Sequence, residues 1–167
     1  MAWTDENRKW MQRAIALARE GDDAPGKNPI GCVIVRGGTV IGEGCNEVDL
    51  RHDTTAHAEI VSMRRAGKTL QSDELRDAAL YTTLQPRGIC TMASIWAKIG
   101  RIVYGAGRED VHKMYFEDRH LDTSSSRFGM TRLDRLGREM VMVLAASVWR
   151  KLWLRGVPAT RRTRDRR

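Results

Sequence analysis

At 167 residues the chain is long enough for one domain with a sizeable core. Its net charge of +8 is local: residues 123–167 hold 12 Lys and Arg against 3 Asp and Glu, whereas the first 122 residues are near neutral at −1. The three scattered cysteines, Cys32, Cys45 and Cys90, make no disulfide framework, the acidic first turn leads into no apolar leader, and the longest apolar run, 140–149, is too short to span a bilayer; a reducing cytoplasm is expected, with no secretory leader and no membrane.

Residues 4–20 read as a helix. Thr4 is a suitable N-cap, Asp5 and Glu6 favour the positive end of the dipole, and Trp10, Ala14, Leu17 and Ala18 form one apolar stripe. GDDAPGKNP breaks that helix. Ile30 to Val35 is almost wholly apolar, as in a strand buried on both faces, and Gly37-Gly38 joins it to TVIGEGCN as a hairpin. A polar loop, EVDLRHDTT, precedes a second helix over about 56–66, a strand over 79–84, a third helix over 90–99 and a strand over 101–106. This order predicts a layered α/β domain. From Thr123 the composition turns Arg-rich, and Leu133, Leu136, Met140, Val143, Leu144 and Val148 keep a helical period. One long helix over 131–154 is expected, suited to docking or dimer formation, then a basic, disordered end.

Chemistry concentrates at two places. In 54-TTAHAEI-60, His57 and Glu59 fall in the first turn of a helix that Thr54 or Thr55 would cap. A neutral imidazole is a good zinc ligand, and a carboxylate two residues on can move protons beside the metal rather than bind it. In 81-YTTLQPRGICTM-92, Pro86 ends a strand and Cys90 opens a helix, where a thiol is favoured as the metal-binding thiolate. The two segments would bring two helix N-termini to one edge of the sheet, where open α/β sheets place their sites.

TAHAE followed by QPxxxC resembles the zinc-dependent nucleobase and nucleoside deaminases, whose signature is H-x-E followed by P-C-x-x-C. NPIGCVIV-RGG-TVIGEGCNEV is similar to that family's first hairpin, HDTTAHAEI to its D-P-T-A-H-A-E-I, and IGRIVYGAG to its fourth strand. The likeness covers roughly residues 5–120. It implies a cytidine deaminase-like fold, a three-layer α-β-α sandwich with a five-stranded mixed sheet, and one zinc ion per chain. It also implies roles: His57 and Cys90 as zinc ligands, Glu59 as the proton shuttle, and Asn46 and the backbone at Ala58 as substrate contacts. CTMASIWAK from Cys90 resembles the guanine deaminases' C-x-x-A-x-x-W-A-[RK], with Trp96 in place, and 116-FED-118 matches their F-D-D, with Asp118 as a second acid. These features favour guanine, converted to xanthine and ammonia. IGRIVYGA and the basic tail lean instead to the tRNA adenosine deaminases, with RNA held through phosphates. The organisation implied is a deaminase domain over 1–122, a C-terminal helix within 123–156 and a basic tail over 157–167. Family members commonly pair through the helices flanking the sheet, so a homodimer is expected.

One residue departs from the pattern. The position of the first Cys in P-C-x-x-C holds Arg87, whose guanidinium stays protonated and cannot ligate zinc. His57 and Cys90 alone fall short of the three protein ligands usual at a catalytic zinc. Four readings follow: a non-catalytic relative acting as a dimeric or nucleic-acid-binding protein, Cys45 or Cys32 as a replacement ligand, weak zinc binding with extra water, or a substitution particular to this chain. Of these, greatly weakened zinc binding with little deaminase activity is the expectation carried forward.

Overall fold

The computed structural model describes residues 4–107, residue 110 and, for the backbone, residues 130–132. Helix α1 spans Asp5–Asp23, and Thr4 caps it by accepting a hydrogen bond from Asn7 N at 3.1 Å. Strands β1 (Asn28–Arg36) and β2 (Thr39–Asn46) form an antiparallel hairpin. Its two-residue turn uses Gly37 and Gly38, both at positive φ (56° and 77°), a conformation that side chains with a Cβ rarely adopt. The short helix α2 (Val48–Arg51) lies inside the segment expected to be loop. Then come α3 (Ala58–Leu70), β3 (Ala78–Leu84), α4 (Gly88–Trp96) and β4 (Arg101–Ala106).

The sheet is mixed. β1 pairs antiparallel with both β2 and β3, and β3 pairs parallel with β4. Beyond β4 lies the three-residue strand β5 (Met130–Arg132), giving the order β2-β1-β3-β4-β5. Residues 131 and 132 were expected to begin a long helix, and they are strand residues instead. The open edge of β4 supplies backbone partners that a local helical period cannot anticipate. The remainder of the expected helix and the basic end lie outside the described residues. Among the described residues no helix is long and apolar enough to cross a membrane.

The burial of β1 on both faces is as its apolar run predicts. Val33 and Val35 pack with Trp10, Met11, Ala14, Leu17, Tyr81 and Val103 on the α1 side. Cys32 and Ile34 pack with Ala58, Ile60, Met63, Leu80 and Ile102 on the α3 and α4 side. Two glycines bring the helices close to the sheet. A Cβ on Gly31 would lie 2.0 Å from Ala14 O of α1, and one on Gly42 would lie 2.3 Å from Ser62 O of α3. A polar cluster pins the α1 side: Tyr81 OH donates to Asn7 Oδ1 at 3.1 Å, and Arg101 donates to Tyr81 OH at 2.7 Å.

The sheet topology positions the site. Because β1 runs antiparallel to both neighbours, the C-terminal ends of β2 and β3 emerge at the same end of the sheet. The chain leaving β2 leads to α3 and the chain leaving β3 leads to α4, so both helices begin there.

The close approach at Gly42 gives a stability test. Gly42→Ala should destabilise the protein by about 1–3 kcal/mol through overpacking against α3. Urea denaturation measures this, and a change below about 0.5 kcal/mol would mean that α3 slides freely over the sheet.

Candidate metal and deaminase site

The approach to α3 is a tight turn organised by Asp53. Its Oδ1 accepts from Thr55 N at 2.8 Å and from Thr55 Oγ1 at 2.7 Å, while its carbonyl accepts from Ala56 N at 3.0 Å. Thr54 and Thr55 therefore do not cap α3. The N-cap residue is His57, in extended conformation and with no side-chain cap bond. Its ring is turned toward the next helix, with Nδ1 3.3 Å from Cys90 Sγ.

Cys90 is the third residue of α4, whose N-cap is Arg87. Ser94 Oγ bonds Cys90 O at 2.8 Å and lies 3.8 Å from Met63 Sδ, which ties α4 to α3. Glu59, in the first turn of α3, is 4% exposed. Thr82 Oγ1 of β3 donates to Glu59 Oε1 at 3.4 Å, and Cys90 Sγ lies 3.5 Å from Glu59 Oε2. One donor atom from each of His57, Glu59 and Cys90 lies within 4.8 Å of the others.

The electrostatics follow from burial. Desolvation raises the Glu59 carboxyl above its ordinary range, against hydrogen bonds from Cys90 and Thr82 and the positive charge of Arg87. Desolvation, and then the charge of Glu59, push the Cys90 thiol well above its ordinary value. The helix N-terminus was expected to favour a thiolate here, and burial beside a carboxylate outweighs it. A bound dication reverses that balance, because a coordinating thiol is deprotonated outright.

Nitrogen, sulfur and carboxylate donors all suit zinc, so the set fits a metal ion. It reaches three donors only with Glu59 counted. Arg87 is half-buried, and its charge reaches Glu59. Cys32 is buried on the same side of the sheet but is not in the grouped set. Cys45 lies against α1: a Cβ on Gly21 would be 3.0 Å from Cys45 Cβ. Neither cysteine takes the place of the third ligand in this arrangement.

Asn46 ends β2 beside the site, since Glu47 N donates to the carbonyl of Ala56, the residue before His57, at 2.9 Å. Its Oδ1 accepts from Val48 N at 3.2 Å and from Asn28 Nδ2 at 3.3 Å, which fixes the amide. Ala58, the first residue of α3, is fully buried. Trp96 ends α4 at 75% exposure, two turns beyond Cys90. Asp118 lies outside the described residues. Sequence reasoning passed over Asn28, Glu47, Asp53 and Thr82. Glu47 is 3% exposed and takes Arg51 and Arg65, the latter at 2.9 Å. Its signal was faint: an acidic residue four before Arg51, with nothing to say that α3 would supply a second arginine.

The sequence model of the cytidine and deoxycytidylate deaminase zinc-binding region matches residues 4–106, which takes in every element from α1 to β4. The chain belongs to this deaminase family. The deaminase is 39% identical over 109 residues to the guanine deaminase of Bacillus subtilis (strain 168), covering 65% of this chain and 70% of that protein. It is also 39% identical over 107 residues to the tRNA-specific adenosine deaminase of Buchnera aphidicola subsp. Schizaphis graminum, covering 64% and 70%. Its fold superposes on the X-ray structure of the B. subtilis guanine deaminase with a TM-score of 0.64 at 32% identity, over 86% of this chain and 93% of that one. By family the deaminase is a zinc-dependent hydrolytic enzyme of nucleobases or nucleosides.

The three free cysteines are all buried, and burial also raises Cys32 and Cys90 well above the ordinary thiol range. In chelator at pH 7.5, a thiol reagent should therefore react slowly with the folded protein and quickly with all three cysteines after denaturation. Rapid labelling of Cys90 in the folded, metal-free protein would show that its environment does not suppress the thiolate.

Proposed function

We propose that this deaminase scaffold is built for hydrolytic deamination of a purine base, guanine in the first place. The observation that carries the reading is the convergence of His57, Glu59 and Cys90 at the N-termini of α3 and α4. In the complete domain these elements would belong to a three-layer α-β-α sandwich with a five-stranded sheet. His57 and Cys90 would hold the zinc, which when bound would supply a nucleophile from water at neutral pH. Glu59 moves the protons. Buried, with its carboxyl raised above the ordinary range by desolvation, it is suited to accept a proton from the attacking water and to deliver it to the ring nitrogen and the departing amine. Water adds at the ring carbon carrying the amino group, the C–N bond breaks, and ammonia leaves.

Asn46 presents its NH2 group to a purine acceptor, because its carbonyl oxygen is already taken by Val48 N and Asn28. The backbone at Ala58 and the side chain of Trp96 complete the substrate contacts, and Asp118 assists proton transfer as a second acid. The guanine deaminase at 39% identity and the run CTMASIWAK support guanine. The tRNA-specific adenosine deaminase at the same identity supports the second reading, conversion of adenosine to inosine in tRNA, with the basic tail on phosphate. We place the protein in the cytoplasm as a homodimer. Arg87 lowers zinc affinity and activity in the chain as it stands, and a non-catalytic dimeric or nucleic-acid-binding role is the reading that remains if the chemistry cannot be restored.

Purified protein should carry well under one zinc per chain and release little ammonia from guanine. Arg87→Cys should raise zinc toward one per chain and ammonia release by at least about tenfold. Inosine formation in tRNA by that variant, without ammonia from guanine, selects the second reading. One tightly bound zinc in the unmodified chain would overturn the weakened site.

A further inference from the structure

We propose that in this chain Glu59 is a metal ligand, completing a His57, Glu59, Cys90 set in place of the thiolate that Arg87 cannot supply. The proposal rests on the deaminase reading for the position of the site, and it changes the role of one residue. In a tetrahedral centre with metal–nitrogen or metal–oxygen bonds near 2.0–2.1 Å and a metal–sulfur bond near 2.3 Å, sulfur sits roughly 3.5 Å from each harder donor. The observed separations from Cys90 Sγ are 3.3 Å to His57 Nδ1 and 3.5 Å to Glu59 Oε2. The third donor therefore already stands at ligand distance from the second, without rearrangement of either helix.

Charge favours the same assignment. A neutral imidazole, a thiolate and a carboxylate together balance a dication, as an imidazole and two thiolates would. With Arg87 adding a positive charge at the rim, leaving Glu59 off the metal would leave a centre of one thiolate and an imidazole too positive for a buried site. Thr82 Oγ1 donates to Oε1, which leaves Oε2, 3.5 Å from Cys90 Sγ, as the oxygen that would meet the metal. A carboxylate bound to the metal no longer shuttles protons freely. The unmodified chain then keeps a weakened metal site of three donors while losing deamination.

The test is cobalt(II) titration of the full chain after chelator treatment, followed by the thiolate-to-cobalt absorption band and the visible bands of tetrahedral cobalt. The unmodified protein should bind one cobalt only at saturation, at least about tenfold more weakly than Arg87→Cys, and with both signatures. Glu59→Gln should weaken binding by at least about tenfold, and Cys90→Ser should abolish the thiolate band. In the Arg87→Cys background Glu59→Gln should leave cobalt affinity within about twofold, because two thiolates and His57 then suffice. Circular dichroism and thermal midpoints of each variant separate ligand loss from unfolding. Unchanged affinity in Glu59→Gln on the unmodified chain, or no thiolate band in the unmodified chain, would overturn the proposal. Failure of Arg87→Cys to bind cobalt more tightly than the unmodified chain would instead count against the family zinc site itself, so the two failures are distinguishable.

Discussion

Everything at the site depends on β1 being a central strand with antiparallel partners on both sides. That arrangement makes β2 and β3 end together, so the connections leaving them start two helices at one edge of the sheet. It also demands an apolar residue at nearly every position of β1, since each side chain meets a helix layer. Gly31 and Gly42 then let α1 and α3 settle at backbone contact distance. A site made from two helix N-termini tolerates little drift, because its donors belong to different elements whose separation the sheet fixes.

The donor cluster is costly when empty. A carboxyl and a thiol share a pocket where both are desolvated, and the charge of Glu59 disfavours ionisation of Cys90. A dication relieves that tension, which is why such a group reads as a metal centre rather than as a strained accident. Arg87 also relieves part of it, by placing a guanidinium charge close enough to hold the Glu59 carboxyl down against burial.

Parts of this were legible from local pattern. The apolar run of β1, the Gly-Gly turn and the stripe on α1 each encode one element through its own period and punctuation. His57, Glu59 and Cys90 were legible as chemistry, because their residue types and flanking Pro86 are unusual together. The cap of α3 was not. Thr54 and Thr55 have the right side chains, but the Asp53 turn claims Thr55 first, and His57 takes the N-cap position. The short strand at Met130–Arg132 was missed for a related reason: its pairing is with a distant edge, and its local sequence reads as helix.

The sequence by itself determined the family, the α/β class and the identity of the chemical groups, including an arginine three residues before Cys90. It did so because these are matters of residue type and spacing along the chain. Only the tertiary structure decided how those groups meet. It placed Glu59 3.5 Å from Cys90 with Thr82 bonded to its other oxygen, set Cys45 against α1 and left Cys32 out of the donor set. It also showed that, without a metal, burial and a neighbouring carboxylate raise the Cys90 thiol, and these are properties of the packed site that no local sequence announces.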